Sequence, residues 1–298
     1  MTASGTPKGI TVTRFAPSPT GYLHVGHAHA ALFAYAKADA AHGKFLLRIE
    51  DIDQGRARPE FEEAIYEDLA WLGIAWESPV RRQSAHMGDY RNALARLHAL
   101  GLVYPCFCTR KEIQAEIENS GVAPHTMAGP PSSPEGGPIY PGTCRALEKA
   151  ERMRRIAAGL PYALRLDMER AVTLAAKGGK ALTWTDGAKG EIAATPEIFG
   201  DVVLARKDTP ASYHLACTWD DHLQGVTLVT RGEDLFQATH VHRLLQALLG
   251  LKTPDYHHHE LLTDAEGKRL AKRDQALTIQ ALREAGKSPV DVRKLAGF

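Results

Sequence analysis

His24-Val25-Gly26-His27 is the first run in this sequence whose residue types and spacing could do chemistry. A strand-like segment has just passed through a turn there, and a helix is about to begin. A helix start turns unpaired N–H groups outward and favours anions, so a phosphate belongs at this place. Gly26 carries no Cβ, which lets a flat base or a phosphate approach the backbone. The two imidazoles could donate to phosphate oxygens as charge builds in a transition state. A bare H-x-G-H is a weak signal, since polar residues also decorate Ala-rich helices without function. The stretch RFAPSPTG before it makes the signal strong.

The second candidate is a cysteine group. Cys106-x-Cys108 is followed, across a Pro- and Gly-rich stretch, by Tyr140-x-x-x-Cys144, while Cys217 stands apart and reads as core. Four cysteines are too few for a disulfide scaffold of this size, and local clustering favours a metal. Thiolates bind Zn2+ tetrahedrally, and a structural site needs four ligands. Three cysteines are local, so the fourth ligand could be Tyr140, His125 or water. His125 is the more usual chemical choice. The run His257-His258-His259 is not a metal site by this reasoning: consecutive strand residues face opposite sides, and it reads as a structural strand.

The elements that must position these residues follow from local pattern. Residues 10–15 (ITVTRF) read as a strand, residues 16–21 as a turn, and residues 27–40 as an Ala-rich helix closed by Gly43. Residues 44–49 (KFLLRI) read as a second strand. Pro59 opens a helix whose Phe61, Ile65, Leu69 and Leu72 recur at three- and four-residue spacing. Another helix is expected over residues 89–100. Strand, helix, strand, helix predicts a parallel sheet with crossover connections. Residues 119–143 read as an irregular loop, and residues 145–158 as a helix carrying Arg152, Arg154 and Arg155. Strand-like pieces follow at 163–166, 172–174 and 182–185. Further strands are expected at 202–205 and 226–230, then a helix at 240–249. From Tyr256 onward the pattern is a strand, a basic loop and two short helices.

Composition bounds the function. The chain has 298 residues, 44% hydrophobic and 24% charged, ordinary for a globular protein and too apolar for a disordered one. Lys and Arg number 36 against 35 Asp and Glu, a net +1 that neither demands nor excludes a nucleic-acid partner. No apolar run approaches the ~18 residues of a membrane helix, and the first residues lack the apolar core of a secretory signal. A cytoplasmic protein without membrane attachment is expected.

RFAPSPTGYLHVGH resembles the HIGH region of class I aminoacyl-tRNA synthetases of the glutamyl branch. The likeness continues in Arg48-Ile49-Glu50-Asp51-Ile52-Asp53, and in Tyr213-His214-Leu215-Ala216 through Asp220-Asp221-His222-Leu223-Gln224-Gly225-Val226-Thr227 to Arg231-Gly232. Lys268-Arg269-Leu270-Ala271-Lys272-Arg273 occupies the KMSKS position. Arg269 stands for its first lysine and Ala271 for its serine, which removes a hydroxyl that could bond phosphate or backbone.

The resemblance implies an α/β fold: a Rossmann-type parallel sheet with an α+β zinc-bearing insertion and a short C-terminal helical segment. Residues 1–101 would form the first half of the catalytic domain, 102–200 the insertion, 201–250 the second half, and 251–298 the KMSKS-like loop and helices. ATP would be held by His24, Gly26, His27, Arg269 and Lys272, with His24, His27 and Lys272 catalytic. Amino-acid activation sends a carboxylate onto the α-phosphorus of ATP, so the enzyme mostly positions anions and stabilises spreading charge. Glutamate would lie among Arg14, Phe15, Ala16, Pro17, Ser18, Glu50, Tyr213 and Arg231. Glu50 suits the ammonium, Arg14 and Arg231 the carboxylates. Similar proteins with C-x-C…Y-x-x-x-C use the tyrosine oxygen, so the resemblance assigns one structural Zn2+ to Cys106, Cys108, Tyr140 and Cys144. Mg2+ is expected with ATP.

Full-length glutamyl-tRNA synthetases continue far beyond KMSKS into anticodon-binding domains, whereas 25 residues follow Arg273 here. That shortness, together with the C-x-C…Y-x-x-x-C arrangement, resembles the glutamyl-Q tRNA(Asp) synthetase family. It implies activation of L-glutamate without tRNA and transfer to the queuosine base at the wobble position of tRNA(Asp), by a monomer. An anticodon loop can splay its bases into a pocket. Arg110, Lys111, Arg152, Arg154, Arg155, Lys268, Arg269, Lys272 and Arg273 are candidate phosphate contacts. Rival readings are charging of a tRNA 3′ end, a catalytically silent RNA-binding paralogue, and, more remotely, a nucleotidylyltransferase.

Overall fold

The computed structural model describes residues 9–119, 132–134, 136–177, 179, 181–262 and 278–298. His125 and the stretch Lys268–Arg273, with Arg269 and Lys272, lie outside them.

The first half builds β1 (Val12–Phe15), α1 (Val25–Ala40), β2 (Lys44–Ile49), α2 (Pro59–Trp71), β3 (Glu77–Arg82) and α3 (Met87–Ala99). Strands β1, β2 and β3 pair in parallel, with Arg14 opposite Leu46. α1 buries Val25, Ala28, Ala31, Leu32, Ala34 and Ala38; its small side chains let it lie close to β1. Pro59 occupies the first turn of α2, as expected, and Ile65, Leu69 and Leu72 are buried.

The middle of the chain is β4 (Val103–Cys106), α4 (Arg110–Asn119), α5 (Lys149–Ala157), β5 (Ala163–Leu166), α6 (Met168–Ala176), β6 (Thr183–Asp186) and β7 (Gly190–Ala193). Then come β8 (Val203–Ala205), α7 (Tyr213–Leu223), β9 (Leu228–Gly232), α8 (Ala238–Leu249) and β10 (Asp255–His259), with α9 (Ile279–Glu284) and α10 (Pro289–Leu295) last. A second sheet runs β7-β6-β10-β9, with β6, β10 and β9 parallel and β7 antiparallel to β6. Thr227 N–H donates to the Val12 carbonyl at 3.0 Å and Val12 N–H to Thr227 Oγ1 at 2.8 Å, which stitches this sheet to β1. The third sheet, β4-β5-β8, is antiparallel. β6, from the expected insertion, thus joins the parallel sheet, while β8, beyond residue 200, completes the sheet begun by β4.

Among the described residues, two large apolar cores are accompanied by two smaller clusters. One packs α1 and α2 on β1 and β2 and takes in Ile279, Val292 and Ala296 from the C-terminal helices; the other gathers α3, α6, α7 and α8. Several elements depart from the local pattern. Residues 172–174, expected as a strand, lie inside α6: the Asp167 side chain caps the Arg170 N–H, and Met168 and Ala171 share one buried face. The helix expected from 145 begins at Lys149, and that expected from 27 begins at Val25. β3 escaped the pattern because ESPVRR is largely polar and exposed. Among the described residues, no helix is long and apolar enough to cross a membrane.

Candidate active site

At the carboxyl end of β1 a cavity of about 670 Å3 opens, a size suited to a small ligand. Its walls include Arg14, Phe15, Ala16, Ser18, His24, Gly26, His27, Glu50, Tyr213 and Arg231. Residues separated by more than 200 positions therefore share one space. Pro17 is not on the wall; its carbonyl accepts the Glu50 N–H at 3.0 Å and so ties the turn to the end of β2.

His24 caps α1, its Nδ1 accepting the Gly26 N–H at 3.1 Å, while His27 Nδ1 accepts the His24 N–H at 3.2 Å. The rings stack at 3.8 Å between centroids. Each Nδ1 is an acceptor, so each neutral ring carries its proton on Nε2. A Cβ on Gly26 would come within 3.0 Å of His24 Cε1. The bare Cα thus leaves room for the folded-over histidine, which a Cβ would press aside by a few tenths of an ångström, a reason the sequence did not disclose. The described residues stop at Leu262, on the cavity wall, and resume at Thr278, which forms a β-bridge with His24.

Below the cavity lies a buried ionic network. Arg14 donates to Asp221 through Nε (3.0 Å) and Nη2 (3.3 Å), and to the Thr230 carbonyl. Arg48 donates to Asp221 Oδ1 at 2.7 Å and to Glu50 Oε1 at 3.0 Å. Asp220 is answered by Arg81, Gln83 and Tyr90. Burial pushes the Glu50 carboxyl up, more than Arg48 and Arg14 pull it down, so a further cation beside it would stabilise its ionised form.

Arg231 differs from Arg14. Nε donates to His258 Nε2 at 3.1 Å, Nη1 to Tyr213 Oη at 3.2 Å and His242 Nδ1 at 3.3 Å, and Nη2 to Thr239 Oγ1 at 2.6 Å. Among the described residues these partners are hydroxyls and imidazoles, none a carboxylate. Burial and Arg231 itself keep the His242 pKa well down. Arg14 and Arg48 thus meet carboxylates directly, whereas the partners of Arg231 among the described residues are all uncharged groups.

Sequence reasoning singled out Arg14, Glu50, Tyr213 and Arg231 but assigned nothing to Arg48 or Asp221, both within quoted motifs. Cys217 is buried as expected, yet it lines the cavity, with Sγ 3.7 Å from Arg14 Nη2 and 3.6 Å from Arg48 Nη2.

The other cluster lies beside β4. The sulfurs of Cys106, Cys108 and Cys144 fall within 4.8 Å of one another. Tyr140 Oη is 3.5 Å from Cys108 Sγ and accepts the Cys144 N–H at 2.8 Å. Three sulfurs and one phenol oxygen thus converge, a donor set that fits a tetrahedral Zn2+. Burial drives the Cys108 thiol up to about 12, so the thiolates would need a cation. On α5, Arg154 and Arg155 are both paired with Glu151, and Arg152 reaches the Arg145 and Leu147 carbonyls.

The family model for class I tRNA synthetases (E and Q), catalytic domain, matches residues 11–295. The glutamyl-Q tRNA(Asp) synthetase of Rhodobacter capsulatus is 50% identical over 295 residues, covering 96% of this chain and 100% of that protein. That of Nitratidesulfovibrio vulgaris is 44% identical, covering 92% and 81%. The glutamate–tRNA ligase of Aquifex aeolicus is 37% identical, covering 93% of this chain and 54% of the ligase. The crystal structure of glutamate-tRNA synthetase from Elizabethkingia anophelis superposes with a TM-score of 0.73 at 29% identity, over 89% of this chain and 53% of that one. The chain spans about half the length of those last two proteins.

Proposed function

Because this chain belongs to the class I tRNA synthetase family of the E and Q type, an ATP-dependent ligase family, we propose that it activates L-glutamate with ATP, without tRNA, and transfers it to queuosine at the wobble position of tRNA(Asp). The observation that carries the amino-acid half is the charge pattern of the cavity. Arg231 is a buried guanidinium with neutral partners, and Glu50 is a carboxylate short of positive charge. A ligand with two carboxylates and one ammonium answers both.

A glutamate carboxylate oxygen attacks the α-phosphorus of ATP, and the bond to pyrophosphate breaks. His24 and His27, at the start of α1, donate to the phosphate oxygens as charge spreads. Arg269 and Lys272 are assigned to the outgoing phosphates, whose charge Mg2+ accompanying ATP would help to screen. Glu50 holds the ammonium. Arg231, with Tyr213 beside it, holds a carboxylate, and Arg14, already neutralised by Asp221, shapes the floor with Phe15, Ala16, Pro17 and Ser18. In the second step a hydroxyl of the queuosine cyclopentenediol attacks the acyl carbon and AMP leaves. Zn2+ at Cys106, Cys108, Cys144 and Tyr140 would cross-link β4 to the segment before α5. The acceptor assignment is supported by the 50% identical relative of matching length.

Two assays test this reading. Glutamate-dependent pyrophosphate exchange is expected without tRNA. Labelled glutamate is then offered to bulk tRNA from cells that make queuosine and from cells that cannot. Label confined to the first pool supports the proposal. Equal labelling would move the acceptor to a tRNA 3′ end, and no label would leave a silent paralogue.

A further inference from the structure

Arg231 is gripped from behind by two residues that never reach the cavity wall. His258, opposite Arg231 in the β9–β10 register, receives Arg231 Nε–H on Nε2 at 3.1 Å. Thr239 Oγ1 accepts from Arg231 Nη2 and lies 3.2 Å from the same ring nitrogen. On its far side, His258 Nδ1 is 2.6 Å from Asp186 Oδ2. Asp186 closes β6, and its other oxygen accepts the Ala188 and Lys189 N–H groups of the β6–β7 turn. Both residues are buried.

We propose that Asp186 and His258 are positioning residues that fix the Arg231 guanidinium for the substrate carboxylate. This rests on reading the cavity as the amino-acid site. The hydrogen bonds dictate the protonation pattern. Nε2 accepts from an arginine that can only donate, so the His258 proton must sit on Nδ1 and point at Asp186. Burial and Arg231 lower the imidazole pKa to about 4, in keeping with a neutral ring. The arrangement solves a particular problem. A carboxylate bound directly to Arg231 would neutralise the guanidinium and compete with the ligand. A neutral imidazole placed between them orients Nε while Asp186 balances the buried charge from a distance. Asp186 itself is saturated by four N–H contacts, His258 N–H included, so it anchors and does not bind ligand.

The test is Asp186→Asn, which keeps size and the Oδ1 acceptor of the turn. Its amide would donate to His258 Nδ1 and push the ring proton to Nε2, against Arg231 Nε–H. In pyrophosphate exchange, KM for glutamate should rise about tenfold or more with KM for ATP unchanged, while Tm falls modestly because the new amide also faces the His258 backbone N–H. His258→Gln retains an acceptor within reach of Arg231 and should recover most of the glutamate affinity. Adding Asp186→Asn to it should then cost little more. A glutamate KM within twofold of wild type in Asp186→Asn overturns the proposal. So does a parallel rise in ATP KM with a matching fall in Tm, which would make the pair a strand anchor alone. Absence of glutamate-stimulated exchange in the wild-type protein would be seen first, and would remove the amino-acid site and this relay together.

Discussion

Arg14 Nε donates to Asp221 Oδ1 at 3.0 Å, a bond between the first strand and a helix 207 residues further along. The same oxygen accepts from Arg48 Nη1 at 2.7 Å, so one carboxylate answers two buried guanidinium groups. Burial works against its charge, but Arg14 and Arg48 outweigh burial and hold the carboxyl well below the usual range.

Asp221→Asn should therefore cost on the order of 3–5 kcal/mol at pH 7, since it leaves buried cations uncompensated. The folded state binds this proton more weakly than the unfolded chain. The stabilisation is full above the unfolded carboxylate pKa of about 4 and drains away as pH falls below it. Urea unfolding of wild type and variant should diverge at neutral pH and converge in acid. Identical midpoints at pH 7 would contradict this.

Asp68 behaves in the opposite sense. It is buried on α2, neither carboxylate oxygen has a hydrogen bond among the described residues, and Arg283 Nη1 stays 3.8 Å away. Burial pushes its carboxyl up to about 6. Stability from the protonated form is full below the unfolded value and is lost as pH rises through about 6. Asp68→Asn should stabilise the protein at pH 8 by roughly 2–3 kcal/mol and give no gain below pH ~4. Thermal melts across that interval provide the check.

Gly26→Ala separates stability from catalysis. Gly26 is the second residue of α1, in its first turn, where the helix-interior preference for alanine does not apply in full, so Tm should change little. The new Cβ displaces the His24 ring, and pyrophosphate exchange should fall by about tenfold to a hundredfold. Full activity would mean that the ring's place is not critical.

For the cysteine cluster, the expected outcome is about one Zn2+ per chain, measured by metal analysis of the purified protein. Cys144→Ser should lose it, because Cys144 Sγ lies 3.4 Å from Cys108 Sγ at the centre of the group. Cys217→Ser, remote from the cluster, should retain it. Equal zinc content in both variants would refute the assignment.

Local sequence determined what depends on neighbours. The H-x-G-H turn at a helix start, the Pro59 helix and the β1 and β2 strands were legible because periodicity and capping act within a few residues. The family resemblance singled out Arg14, Glu50, Tyr213 and Arg231, and these four share one cavity wall. Tertiary structure alone decided that polar β3 pairs with β2 and that β6 enters the parallel sheet. It also decided which cation meets a carboxylate. Arg14 and Arg231 look alike in sequence, but Arg14 meets Asp221 and Arg231 meets imidazoles and hydroxyls. The Asp186–His258 contact spans 72 residues and follows from β6 lying beside β10. Charge compensation in a buried site is set by which chains become neighbours in space, and no local pattern carries that information.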